Sequence, residues 1–360
     1  MTKSKREDAL AALNQGDFQQ AAIILRGLLE NTPADADLQL SLRFDLAFAE
    51  RELGRFDQSK ESFFISLGLA KSARGERSLD VVNILCELSR LHSVRGNYES
   101  ALNLCASAED IMKSVATECK AVISFQKLKV NLVDCTATAL RYRGDYRKAR
   151  SLVARELRRV RDIKYLRPEL YRLVLHCGML CKYLGRLKSA ETCYQYALSY
   201  QRNYAVSNKK EVADLQYNLS GLQHAKNKTK SRSISGIAFA RQSLQIRREI
   251  LGDAHPDTAL SLSMLAAHFI QAGALRRAEI LVNVSIQIQR AIYGQNHRDI
   301  AMNLNHRGVI AYKRGDLSNS LAALEAALKM KRLFLSESHP DIALIRSNIA
   351  TIRRGILAPA

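Results

Sequence analysis

Apolar residues along the chain fall into runs with helical spacing, and these runs are interrupted at nearly constant intervals by a turn that carries glycine. The interval is clearest toward the C-terminal end. There Leu251-Gly-Asp-Ala-His-Pro-Asp-Thr-Ala259 returns as Tyr293-Gly-Gln-Asn-His-Arg-Asp-Ile-Ala301 and again as Leu335-Ser-Glu-Ser-His-Pro-Asp-Ile-Ala343, a period of 42 residues. Between copies lie one apolar helical run, a turn at Gly273 or Gly315, and a second apolar run. A single helical hairpin cannot bury its apolar face, so a fixed period of this kind predicts an all-α array in which each hairpin is covered by its neighbours.

A second pattern extends the array to the rest of the chain. Seven residues before each turn stand Ala9, Ala47, Ser89, Ala137, Gly178, Ser220, Ala266 and Gly308, with Ala350 following. Five residues after the turn stand Ala21, Ser59, Ala101, Ala149, Ala190, Ala278 and Ser320, with Gly236 arriving four residues late. Every one is Ala, Gly or Ser, as close helix crossings require, since overpacking there costs about 1–3 kcal/mol.

The frame of small residue, glycine and small residue, as in Ala47…Gly54…Ser59 or Ala137…Gly144…Ala149, resembles the tetratricopeptide repeat. The 42-residue form with Leu-Gly-Asp-x-His-Pro-Asp-Thr-Ala is similar to the kinesin-light-chain subtype, whose helices are longer than in the common repeat of about 34 residues. Frame and link both match over 245–345, and the frame alone over 1–205. The resemblance implies a right-handed superhelical solenoid of about eight hairpins, one domain over 1–355. Five divergent repeats are expected in 1–205, three kinesin-light-chain-like repeats in 206–339, and a capping helix over 340–355. The first helix of repeat four is expected to begin around Cys119. In repeat six Asn227 replaces the turn glycine, and 226–233 reads as an inserted basic loop where limited proteolysis should cut first.

The resemblance further implies a non-enzymatic scaffold or adaptor that holds a peptide or helical segment of a partner in a concave groove lined by the first helix of each repeat. Transferred position by position, the groove residues six before the small residue are Asn83, Asn131 and Arg172. Those one or four after it are Arg51, Arg90, Arg141 and Lys182. Near the C-terminal end the set continues with Ser263, Asn305, Tyr312 and Lys313, whereas repeat six offers Asp214, Tyr217 and Gly221. Asn amides can bond an extended peptide backbone in either direction, and Arg and Lys select carboxylates or phosphates. The family's paired Asn is only partly kept: Leu304-Asn305-His306 has one and Leu262-Ser263-Met264 none.

Charge narrows the partner. With 55 Lys and Arg against 35 Asp and Glu, the chain carries a formal charge of +20, which favours an acidic protein or peptide and leaves nucleic acid and an anionic membrane as alternatives. The RNA alternative would use the basic stretch 141–167 and the 226–232 loop; a third reading is a peptide-sensing regulator using the same groove. The absence of Trp and an aromatic content of 6% argue against a base-stacking platform. Seven cysteines without regular spacing suit a reducing compartment, by default the cytoplasm. The apolar run after the first eight residues is too short for a signal peptide, and no run of 18 apolar residues occurs.

No cofactor, metal or catalytic constellation is expected. Phosphate-cradling Gly-rich loops, His-Glu-x-x-His and Gly-x-Ser-x-Gly are absent. His255, His297 and His339 are separated by whole hairpins, and helix axes 8–10 Å apart cannot bring them to one ion at ~2 Å, so they read as packing residues at the helix entry. His176, Cys177, Cys181 and Cys193 offer soft ligand atoms, but they lack the paired spacing of structural zinc sites and read as buried small hydrophobes.

Overall fold

A computed structural model describes residues 2–31, 35–119, 122–204, 208–226 and 234–357. Among these residues the chain is all-α, with no strand. In order the helices are α1 (Thr2–Gln15), α2 (Phe18–Glu30), α3 (Ala36–Glu52), α4 (Phe56–Arg74), α5 (Leu79–Val94) and α6 (Tyr98–Cys119). They continue with α7 (Ile123–Arg143), α8 (Tyr146–Val160), α9 (Arg167–Tyr183), α10 (Leu187–Tyr204), α11 (Lys209–Lys226) and α12 (Ile234–Leu251). The last are α13 (Pro256–Gln271), α14 (Leu275–Tyr293), α15 (Arg298–Lys313), α16 (Leu317–Arg332) and α17 (Pro340–Leu357). Contacts gather these into two compact units, residues 1–209 and 210–360.

Each helix ends where the backbone can change hand. At Gly144 φ is 99° and the amide bonds back to the carbonyls of Arg141 and Leu140, closing α7 in a conformation that a Cβ would strain. Helix starts are fixed by side chains: Asp17 Oδ1 accepts from the Gln20 amide at 3.0 Å and Asp35 Oδ1 from the Asp37 amide at 3.0 Å. In the repeated link the cap is histidine. The Nδ1 atoms of His255, His297 and His339 accept from the amides of Asp257, Asp299 and Asp341 at 3.0, 3.3 and 3.0 Å. All three rings are buried, which gives the link its packing role.

In the first unit, Phe63, Val82, Ile84, Leu88, Cys105, Phe125 and Leu132 form the main core, and Ala21, Ala22, Leu25, Leu42 and Ala49 a smaller one. The second unit is filled by Val282, Ile286, Ile300, Leu304, Leu324 and Ile345. The small frame residues lie at the crossings. A Cβ on Gly178 would stand 2.4 Å from Tyr194 Cε1, and one on Gly308 would stand 2.6 Å from Leu324 Cγ. Ala137 and Ala266 are completely buried. Ala137→Leu and Ala266→Leu should therefore each lower stability by roughly 1–3 kcal/mol, seen as a lower melting temperature; unchanged melting of both variants would refute the crossing assignment.

Two expectations need adjustment. Repeat four does not begin at Cys119, because α6 runs on to that residue and α7 starts at Ile123. Buried Ala101, Cys105, Ala108 and Met112 keep α6 packed turn after turn, so both helices of that region are long. The inserted loop lies between α11 and α12, and its residues 227–233 are outside the described residues.

Candidate functional site

Within the first unit α3 touches α5, α5 packs on α7 and α7 on α9, so the first helices of successive hairpins stand side by side. The helical period brings their groove offsets to one face. There the cations do not stand alone. Arg51 Nη2 lies 2.7 Å from Glu52 Oε1 and 3.1 Å from Glu87 Oε2, with its guanidinium 5.0 Å from the Phe48 ring. Arg90 approaches Glu87 at 3.5 Å, pairs with Asp134 at 2.9 Å and donates to Asn131 Oδ1 at 2.6 Å. Asp134 in turn meets His176 Nδ1 at 2.9 Å.

This ladder joins α3, α5, α7 and α9 through alternating charge. Burial alone would raise the Asp134 carboxyl; Arg90, then His176, then Arg172 overcome it and hold the group well below the usual carboxylate range. Burial pushes His176 below its ordinary value despite Asp134, so the ring is neutral near pH 7 and donates from Nδ1. Reading the cations from sequence missed Glu87, Asp134 and His176, the residues that consume Arg51 and Arg90. Their signal was the presence of acids two or three positions before Ser89 and Ala137, on the same face.

Beyond the ladder the balance turns positive. Lys182, half-buried in the last turn of α9, has no carboxylate within 4.0 Å among the described residues, and its ammonium lies 5.3 Å from the Tyr183 ring. Burial, and after it the like charge of Arg141, push its amine below the ordinary lysine value, with Tyr183 opposing. The Arg141 guanidinium sits 3.9 Å from the Tyr142 ring centre. Tyr183 is stacked on Tyr146, with centroids 4.9 Å apart and planes at 9°. Arg172 is half-buried and acts on Asp134, and the half-buried Asn83 amide has no hydrogen-bond partner among the described residues. The structure thus brings Asn83, Asn131, Arg90, Arg141, Arg172 and Lys182 onto neighbouring helices. The part around Lys182 and Arg141 is cationic and lined by tyrosine.

The candidates of the second unit form a more neutral surface. Asn305 Oδ1 is 3.5 Å from Asn348 Nδ2, and buried Ser263 is 3.4 Å from His306 Nδ1. Tyr312 and Lys313 are exposed at the end of α15. Asp214 is held by Arg247 at 2.7 Å and Lys210 at 3.3 Å, the Arg247 guanidinium lies 4.8 Å from the Tyr217 ring, and Gly221 is buried. Burial, with His224 next in importance, lowers both His268 and His306 to about 4. Folded imidazoles held below the unfolded value of about 6.5 contribute stability that is complete above that pH and is lost as pH falls toward 4. The melting temperature should fall over this window, and His268→Gln should flatten the fall; an unaltered profile would contradict the burial of a neutral His268.

Among the described residues no group of three or more His, Cys, Asp and Glu side chains is arranged to hold a metal ion. No described helix is long and apolar enough to cross a membrane.

Comparison with known proteins bears on this arrangement. Residues 237–257 match the family described as tetratricopeptide repeat. The Rap protein complexed with Competence and Sporulation Factor is similar, with TM-score 0.59 and 12% identity over 98% of this chain and 98% of its own. NprR in complex with its cognate peptide NprX is also similar, with TM-score 0.58 and 14% identity over 99% of this chain and 98% of its own. No curated protein sequence matches the chain.

Proposed function

Because the chain is a tetratricopeptide-repeat protein, we propose that it acts without catalysis, as a scaffold holding an acidic peptide segment of a partner protein along the α5, α7 and α9 face of its first unit. The observation that carries this reading is Lys182. A half-buried ammonium with a cation beside it and no carboxylate nearby is costly unless a ligand brings the missing charge. In this reading a ligand carboxylate sits between Lys182 and Arg141, an aromatic neighbour packs on Tyr183, and Asn83 bonds the peptide backbone. The two peptide or factor complexes among proteins of this fold are consistent with such a use. The repeated His-Pro-Asp or His-Arg-Asp link assigns the array to the kinesin-light-chain form, and seven cysteines suit a cytoplasmic setting; both belong to the proposal.

The test begins with an arrayed library of short Asp- and Glu-rich peptides, the best binder being titrated in solution. Arg141→Glu with Lys182→Glu should weaken it by well over tenfold, since charged hydrogen bonds contribute about 1.5–3 kcal/mol each. Arg158→Glu with Arg161→Glu, on and just after α8, should leave affinity unchanged. Normal binding by the first double variant together with loss in the second would overturn the reading.

One observation favours RNA as a second reading. Arg147, Lys148, Arg155 and Arg158 are exposed along α8 with no carboxylate within 4.0 Å among the described residues. Phosphate binding there would weaken by about 0.7–0.9 log unit per neutralised phosphate for each tenfold rise in salt, and the α8 reversals would abolish it.

A further inference from the structure

Three thiols converge where α8, α9 and α10 meet, and the peptide face does not use them. Cys177 and Cys181 are one helical turn apart on α9, and Cys193 lies on α10. Side-chain hydrogen bonds link Cys177 to both Cys193 and Cys181, while the Arg150 guanidinium of α8 bonds Cys181. The helices approach closely beside these cysteines, since Gly178 has no room for a Cβ against Tyr194. Gly178 follows Cys177, and Tyr194 follows Cys193.

A second trio in the same unit provides the contrast. Cys86, Cys105 and Cys135 are 0%, 3% and 1% exposed, with Cys105 Sγ 3.1 Å from Ser89 Oγ and Cys135 Sγ donating to the Cys86 carbonyl at 3.5 Å. Burial pushes the Cys105 thiol up to about 11. Such thiols are packing groups, protonated and closed to reagents. In the first trio Cys177 and Cys181 are buried, but Cys193 is only half-buried and opens to solvent. The hydrogen bond from Cys177, followed by the charge of Arg150, lowers the Cys193 thiol against the effect of burial. Its partner Cys177 is raised by the same bond and by burial. An accessible thiolate next to a protonated second thiol is the arrangement of an attacking and a resolving cysteine.

We propose that Cys193 and Cys177 form a peroxide-reactive dithiol that closes to an intramolecular disulfide between α9 and α10. The Cys193 thiolate attacks one oxygen of hydrogen peroxide. The S–O bond forms as O–O breaks, leaving Cys193 sulfenic acid, and the departing hydroxide takes a proton to become water. The Cys177 sulfur then attacks the Cys193 sulfur. The S–S bond forms, S–O breaks, and the hydroxyl leaves as a second water with the Cys177 proton. Two thiols are oxidised by two electrons in total, and one peroxide is reduced to two waters. Thiol–disulfide exchange with an external dithiol would restore the reduced pair.

The experiment uses the full chain and hydrogen peroxide, followed by alkylation and tryptic mapping without reduction. Trypsin places Cys177 in the peptide 173–182 and Cys193 in 189–202, so the cross-link appears as one joined ion. The expected result is that this ion forms first and that iodoacetamide labels native Cys193 at least tenfold faster than Cys86, Cys105 or Cys135. In Cys177→Ser, dimedone should trap Cys193 as sulfenic acid with no joined ion. In Cys181→Ser, the joined ion should persist. The unsubstituted chain supplies the labelling ratio even if Cys177→Ser folds poorly. Equal labelling of the two trios, or a joined ion that vanishes in Cys181→Ser while persisting in Cys177→Ser, would overturn the assignment. Because the readout is a cross-link, its result does not depend on whether the chain binds an acidic peptide.

Discussion

Asp134→Ala is expected to destabilise the first unit by roughly 3–5 kcal/mol, the usual consequence of removing one partner from a buried ion pair. The carboxylate is 13% exposed and is the only acid in contact with both Arg90, at 2.9 Å, and His176, at 2.9 Å. Its loss leaves Arg90 to share Glu87 with Arg51 and leaves the His176 ring without its acceptor. Asp134→Asn keeps the shape and one acceptor, so it should lose less. Denaturant titration of the full chain is the measurement. A loss below about 1 kcal/mol in the alanine variant would mean that the pair behaves as a solvent-screened surface contact. The sign with pH follows from the depressed carboxyl: the contribution is complete above the unfolded value of about 3.9 and is lost as pH falls below it. Acid should therefore act on the wild type and leave the alanine variant nearly indifferent in that range.

Arg247→Leu should have a comparable effect on the second unit, again roughly 3–5 kcal/mol. The Arg247 side chain is 5% exposed and bonds Asp214 at 2.7 Å, the Asp257 carbonyl at 2.9 Å and Ser261 Oγ at 3.0 Å. Without it, Asp214 keeps only Lys210 at 3.3 Å, which also serves Asp257 at 4.0 Å. Arg247→Lys should recover only part of the loss, because an ammonium cannot reproduce the fork that reaches three acceptors. Arg247→Leu with Asp214→Leu should recover more, since a buried pair replaced by apolar groups is often tolerated. A double variant no more stable than Arg247→Leu alone would show that hydrogen bonds to Ser261 and the Asp257 carbonyl, and not charge, dominate.

The crossings were legible in sequence because steric exclusion acts on each position separately. The hydroxyls among them were not. Ser59 donates to the Ala47 carbonyl at 2.8 Å, Ser89 to the Ala101 carbonyl at 2.9 Å and Ser320 to the Gly308 carbonyl at 2.7 Å. Serine there is small and also tethers the facing helix, whereas the sequence pattern marks only its size. The end of α6 was hidden for another reason: no glycine or proline marks it, and buried residues keep helical spacing up to Met112. The charge balance of the face was the least legible part. Arg90 and Asp134, or Asp134 and His176, are more than 40 residues apart and meet only because one hairpin stacks on the next. A count of cations at groove offsets therefore describes Lys182 better than Arg51 or Arg90.

Ladder geometry also bears on how many repeats each unit can carry. In the second unit the helix-entry caps are internal to each link, and the cross-helix bonds recur in register: Ser263 to His306 is followed by Asn305 to Asn348. Unequal recombination that dropped one period would leave Ser263 facing Asn348, still a donor beside an acceptor. The first unit has no such slack. Glu87, Arg90, Asp134 and His176 each answer a different neighbour, and looping out one hairpin would strand a buried charge. Array length is thus frozen over α3 to α9 and free to drift in whole periods over α13 to α17, so kin of this chain should differ in repeat number in the latter segment.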